Sequence, residues 1–138
     1  MSKELKYLWA PWRMGYIRTS KNKFGPCLFC DKSNIGKDDE NLVVHRGECS
    51  YVLMNLYPYN NGHLMIAPYD HERNFDDLQS DAQIEMMNLM SLSMGVLRDN
   101  LSADGFNFGA NFGEVAGAGI KDHLHFHLVP RWIGDTNF

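Results

Sequence analysis

Three histidines alternate with bulky apolar residues in His123-Leu124-His125-Phe126-His127-Leu128-Val129-Pro130. A period of two is that of a strand, and it predicts Leu124, Phe126 and Leu128 on a buried face with all three imidazoles on the other. Imidazoles bind metals, exchange protons near neutral pH and act as nucleophiles. With a strand rise of ~3.3 Å per residue, the Cα atoms of His123 and His127 would lie ~13 Å apart. Zinc, in contrast, holds its nitrogen ligands at ~2.1 Å. One ion does not easily collect all three rings, so the spacing suits a division of labour. An end histidine joins a metal site, and the middle one stays free as nucleophile or base. The competing reading is an exposed histidine-rich strand without chemistry; the strict spacing and the apolar flanks weigh against it.

A second cluster of reactive residues is Cys27-Leu28-Phe29-Cys30. In a reducing compartment such a pair is a metal knuckle or redox site sooner than a structural disulfide. Two cysteines make half a zinc site, and His45, His63, His71 and His123 are the candidates for the other half. Cys49 stands alone and reads as a partly buried thiol. The glycine-rich run Gly113 to Gly119 leads directly to the histidines. Glycine permits close approach of backbone N–H groups to an anion, which beside three imidazoles suggests a phosphate cradle; by itself the run could equally be a hairpin. Near the amino terminus, Trp9-Ala10-Pro11-Trp12-Arg13 with Tyr16 offers either an aromatic and cationic lip for a base or phosphate or an arm packed over the core.

The elements that must position these groups fit one domain over residues 1–138, with an N-terminal arm at 1–26 and a core at 27–138. A 138-residue chain with 44% hydrophobic and 22% charged residues is of globular type. Its formal net charge of −4 and lack of a basic run argue against a nucleic-acid polymer as partner. No apolar run is long enough for a membrane span, and Met1 to Leu8 has no signal core, so a cytoplasmic protein with no membrane partner is expected. Strands are predicted at Asn41 to Arg46, at Tyr51 to Leu56, from near Gly62 until Pro68 stops it, and at Phe106 to Asn111. Ser80 to Leu101 has helical periodicity, with Ser80 as its cap. Its expected buried stripe is Met86, Leu89, Met90, Val96, Leu97 and Leu101. Ile84, Met87, Leu92 and Met94 lie off that stripe, which implies cover from a second subunit or from neighbouring segments. The fold class is therefore α+β: an antiparallel sheet of about five strands with one main helix.

His123 to Val129 resembles the signature of the histidine triad (HIT) superfamily of nucleotide hydrolases and transferases, His-x-His-x-His-x-x with every x apolar. Asn55 to Pro68 is similar to the family's ribose-binding strand and loop, with Pro68 one residue earlier than the family pattern, and Asn111 and the glycine loop match as well. Within the superfamily, Trp9 to Arg13, Asn55 to Asn60 and Pro130 to Phe138 resemble the bacterial diadenosine tetraphosphate phosphorylase branch. Gly119 stands where relatives often carry a serine, threonine or glutamine, so phosphorylase and hydrolase both stay open.

The resemblance implies that His125 is the nucleophile on the α-phosphorus of a nucleotide, forming a covalent nucleotidyl-histidine, with His127 as the second catalytic histidine. It places Asn55 on the ribose and gives Leu56, Asn111, Gly117, Ala118, Gly119, His127 and Trp132 nucleotide contacts. It also implies a structural zinc ion on Cys27, Cys30, His71 and His123, leaving His63 to hydrogen bonds within the strand layer and His45 at the surface. The expected substrate is a small nucleotide of the dinucleoside polyphosphate type, and the expected assembly a homodimer. Alternatives are a nucleotide-binding or sensing module with little turnover, a purine nucleoside phosphoramidase, or a hydrolase using the histidines as metal ligands.

Overall fold

Alternating apolar residues build the sheet, and the computed structural model describes it over residues 27–55, 62–118 and 122–135. Its strands are β1 (Val43–Arg46), β2 (Ser50–Met54), β3 (Leu64–Pro68), β4 (Gly105–Gly109) and β5 (Phe126–Arg131). They form one five-stranded sheet in the order β1-β2-β3-β5-β4, with every neighbouring pair antiparallel. Among the described residues three α-helices accompany them: α1 (Leu28–Lys32), α2 (Asp38–Asn41) and the long α3 (Ser80–Leu101). Among the described residues, no helix is long and apolar enough to cross a membrane.

Both faces of the sheet are covered, by different material. Helix α3 lies on one face, where Met86, Leu89, Met90 and Leu97 pack with Val52, Leu64, Ile66, Leu124, Phe126 and Leu128. Each such fully buried side chain is worth about 1.5–3 kcal/mol. A smaller cluster on the opposite face joins Cys27 and Phe29 to Val43, Tyr51, Leu53, Met65 and Ala67. The cysteine segment is therefore a second layer over part of the sheet. Arg46 anchors it, donating to Asp38 Oδ1 at 2.7 Å and to the carbonyls of Ser33 at 2.8 Å and Asn34 at 2.9 Å.

The helix has the expected span but not the expected cap or stripe. Gln79 occupies the cap position without a side-chain hydrogen bond, and Ser80 is the first helical residue. Val96 and Leu101 are 49% and 39% exposed, whereas Ser93 is buried and Met94 packs partly against the core. A step of one residue turns the helix by about 100°, so Val96 faces away when Leu97 faces inward. Ser93, four residues before Leu97, holds the buried line despite its polarity. Ile84, Met87 and Leu92 lie off the buried line as expected, but in the single chain they are exposed rather than covered by neighbouring segments.

The strand boundaries also move. Asn41 belongs to α2, and β4 starts at Gly105 and ends at Gly109. The histidine segment does not form one continuous strand from its first histidine: β5 begins at Phe126, opposite Ile66 of β3. Before that point the Leu124 N–H donates to the Glu72 carbonyl at 2.7 Å, a bond outside the sheet. The apolar alternation nevertheless holds, with Leu124, Phe126 and Leu128 at 2%, 6% and 0% exposure. Trp9 to Tyr16 and the remainder of 1–26 lie outside the described residues.

Candidate functional site

Pairing of β3 with β5 sets Met65 opposite His127, and pairing of β4 with β5 sets Gly109 opposite the same residue. His127 is thus central to the sheet, and the loop containing Asn111 leaves β4 beside it. Gly62 delivers the chain into β3 from a left-handed φ of +80°, with Leu101 Cδ1 only 2.8 Å from where a Cβ would stand. The positive φ and the close leucine methyl both favour glycine there. They fix the entry of His63, which is 2% exposed.

Hydrogen bonds set the protonation of each ring. His125 Nδ1 lies 3.1 Å from the His123 carbonyl oxygen; a carbonyl only accepts, so Nδ1 carries the hydrogen and Nε2 keeps its lone pair. Asn55 Nδ2 donates to His63 Nδ1 at 3.2 Å. His63 Nε2–H then donates to His127 Nδ1 at 2.9 Å, which puts the hydrogen of neutral His127 on Nε2. The His125 and His127 rings meet edge to face at 4.9 Å. A ring with its lone pair on Nε2 therefore stands beside a ring with its hydrogen on Nε2, an acceptor nitrogen next to a donor one.

Four further groups converge where α1 meets the start of the triad. The ligand atoms of Cys27, Cys30, His71 and His123 lie within 4.8 Å of one another. Cys27 Sγ and Cys30 Sγ are 3.2 Å and 3.6 Å from His123 Nδ1, and Cys30 Sγ is 3.3 Å from His71 Nδ1. Tetrahedral zinc, with bonds of ~2.0–2.3 Å, separates its ligand atoms by roughly 3.3–3.8 Å. The set fits. His123 Nε2–H donates to the Pro68 carbonyl at 2.8 Å, which turns the Nδ1 lone pair towards the sulfurs and supplies the outer hydrogen bond a ligating imidazole uses. The Cys30 N–H donates to Cys27 Sγ at 3.3 Å.

Electrostatics agree with that chemistry. Burial pushes the His123 imidazole below its ordinary value and so keeps it neutral. Burial, with the Cys27 sulfur alongside, pushes the Cys30 thiol up to about 11. A divalent cation among these groups reverses the second effect, since it binds the thiolate.

Other expected contacts are distributed differently. Asn55 is 9% exposed, and its amide faces His63. Within the glycine loop, the N–H groups of Gly117 and Ala118 donate to the carbonyls of Glu114 at 2.9 Å and Gly113 at 3.1 Å. They are engaged inside the turn. Gly117 has φ +93°, and a Cβ there would stand 3.7 Å from Asn111 Nδ2. Trp132 follows β5 at the end remote from His125, about 20 Å away by strand rise, and its indole N–H donates to the Leu101 carbonyl at 2.9 Å. The structure does not bring Trp132 to the triad within one chain. Leu56 and Gly119 lie outside the described residues, and His45 is exposed.

Two contributors are not evident from residue types alone. Phe29 stacks on His125, and His63 orders His127. The sequence signal for His63 is parity: it is two residues before Met65, the partner of His127.

A family model for the HIT domain matches residues 36–132. The chain is 39% identical over 142 aligned residues to the AP-4-A phosphorylase of Mycobacterium tuberculosis, covering 98% of this chain and 72% of that protein. A Zn-bound histidine triad family protein from Mycobacterium smegmatis superposes with a TM-score of 0.66 at 25% identity, over 79% of this chain and 77% of that one. The diadenosine triphosphate hydrolase of Plasmodium falciparum, solved with cyclomarin A, superposes with a TM-score of 0.61 at 26% identity, over 70% and 65% of the two chains. With its five-stranded sheet, its ordered histidines and a family match over most of its length, the chain belongs to the HIT domain family.

Proposed function

We propose that this protein cleaves dinucleoside polyphosphates of the diadenosine tetraphosphate type at the α-phosphorus, through a covalent nucleotidyl group on His125. The observation that carries the reading is the 3.1 Å hydrogen bond from His125 Nδ1 to the His123 carbonyl, because it leaves Nε2 as the nucleophile. Similarity to the M. tuberculosis AP-4-A phosphorylase supports the substrate class.

In the first displacement an Nε2–P bond forms and the bond from phosphorus to the bridging oxygen breaks. The remaining nucleotide leaves with that electron pair. His125 keeps its Nδ1 hydrogen, so the nucleotidylated ring is positively charged. The Nε2–H of His127 donates to a non-bridging oxygen, where charge builds up. In the second displacement water releases AMP, or inorganic phosphate releases ADP. Asn111, Gly117, Ala118 and Gly119 belong to the loop that would receive the phosphates. Cys27, Cys30, His71 and His123 would hold zinc, which would supply folding free energy rather than catalysis.

The test is the product pattern from diadenosine tetraphosphate with and without inorganic phosphate. ADP formed only with phosphate identifies a phosphorylase; AMP in either condition identifies a hydrolase. Tight binding of the nucleotide with no turnover in both conditions would overturn the proposal in favour of a binding module.

A further inference from the structure

Phe29 is fully buried, yet it stands between the two cysteines of the knuckle and reaches the nucleophile. Its ring stacks on His125 with centroids 4.5 Å apart and an interplanar angle of 28°. It also meets the His123 ring at 5.4 Å. The backbone of Phe29 is itself held: its carbonyl accepts from the Tyr51 hydroxyl at 2.6 Å and from the Ser33 N–H at 3.2 Å. Cys27 and Cys30, on either side, face His123 and His71.

We propose that Phe29 is a positioning residue for the His125 ring, and that through it the Cys27, Cys30, His71 and His123 cluster is coupled to the chemistry. The inference rests on His125 being the nucleophile. Two physical effects favour it. The His123 carbonyl holds His125 at Nδ1, and a flat ring stacked against the imidazole face resists tilting of its plane, so Nε2 stays aimed. When the Nε2–P bond forms and the P–O bond breaks, the imidazole retains its Nδ1 hydrogen and becomes cationic. The electron-rich face of Phe29 then attracts it more strongly than it attracted the neutral ring. The stack therefore helps the transition state more than the ground state.

The coupling follows from chain geometry. Phe29 is one residue from Cys30 and two from Cys27, so whatever orders both sulfurs orders the ring between them. His123, two residues before His125, is held by the same cluster. The knuckle thus reaches the nucleophile from both sides.

The experiment uses the full chain loaded with zinc, and measures the single-turnover rate at which diadenosine tetraphosphate labels His125. Phe29→Leu and Phe29→Met keep an apolar side chain and remove the aromatic face. The expected result is labelling slowed roughly tenfold, the size of a desolvated cation–π contact. KM and zinc content should stay within about twofold of the parent. The proposal is overturned if both variants label at the parental rate, or if the rate falls only in step with zinc content or nucleotide affinity. A second arm needs no variant: zinc-loaded and chelated parent are compared by the chemical shift of the His125 ring protons, which sense the Phe29 ring current. Displacement of that shift on chelation, with slower labelling, supports the coupling, and an unchanged shift overturns it. A parent protein that never labels on His125 would instead remove the underlying mechanism. Parental labelling with unimpaired Phe29 variants removes only the present inference.

Discussion

His63 Nε2 lies 2.9 Å from His127 Nδ1, and this contact decides what His127 can do. Asn55 Nδ2 donates to the other nitrogen of His63 at 3.2 Å, so the hydrogen-bond direction runs Asn55 to His63 to His127. Both His63 and Asn55 are buried, which removes competing water and makes an unsatisfied nitrogen costly. His127 consequently presents its donor nitrogen on the side away from the relay.

His63→Ala should therefore lower kcat while adduct formation on His125 persists. Losing one buried hydrogen-bond partner costs ~1–3 kcal/mol, so a fall of roughly tenfold is expected, with a lower Tm. Asn55→Ala should act in the same direction but more weakly. Steady-state kinetics with diadenosine tetraphosphate separate the possibilities: an Asn55→Ala effect on kcat supports its role behind His63, and one confined to KM supports the expected ribose contact.

Cys30→Ala removes one of the four converging ligand atoms. A structural ion contributes folding free energy, so zinc content should fall and Tm should drop by several degrees. Metal analysis of purified parent and variant, with thermal melts of each, checks this. Zinc-free parent protein, or a variant that melts like the parent, would refute the metal assignment.

Glu85 predicts part of the acid limb of stability. From α3 it accepts the N–H groups of Glu48 and Cys49 at 2.8 Å each, and the Ser50 hydroxyl. Burial favours its neutral form, but the hydrogen bonds from Ser50, Cys49 and Glu48 outweigh burial and hold its carboxyl below the usual value. A carboxyl depressed on folding stabilises the protein above its unfolded-state value, and that stability is lost as pH falls through the folded value. Asp38 and Asp135 are also depressed, by Arg46 and Arg131, so the parent curve has several contributors. Glu85→Gln isolates one: the variant should have a lower Tm at neutral pH and a shallower fall between about pH 5 and 3. Parallel parent and variant curves would refute it.

The sheet and the long helix were legible because period two and period 3.6 are written in side-chain type. The triad was legible because three identical reactive residues share one parity. Phe29 was not, since an aromatic residue in a knuckle reads as core until its contact with His125 is seen. The sequence marks His63 only as a strand-layer hydrogen bonder, because its partner is 64 residues away and register is set by sheet pairing. The helix departs from its apolar stripe at Ser93 and Val96 because angular position, not apolar character, decides burial. Gly117 and Ala118 looked like open anion donors, but the turn consumes their N–H groups, and composition carries no information on that.

His125→Ala tests the centre of the mechanism. Nucleotide affinity is shared among several groups, whereas displacement at phosphorus has a single attacking nitrogen, so turnover and covalent labelling should vanish while nucleotide binding stays within about tenfold. Removing the ring leaves the hydrogen bonds from Asn55 to His63 and from His63 to His127 in place; the fold should therefore survive. His127→Ala should behave differently, weakening phosphate binding and slowing both half-reactions without abolishing the intermediate, since it removes a donor and not the nucleophile. Mass spectrometry of enzyme quenched during turnover of a substrate labelled at the α-phosphate distinguishes these outcomes. An adduct on His123 or on any residue other than His125, or full activity in His125→Ala, would sink the mechanism. An adduct on His125 that accumulates in His127→Ala would show that His127 acts chiefly in the second displacement.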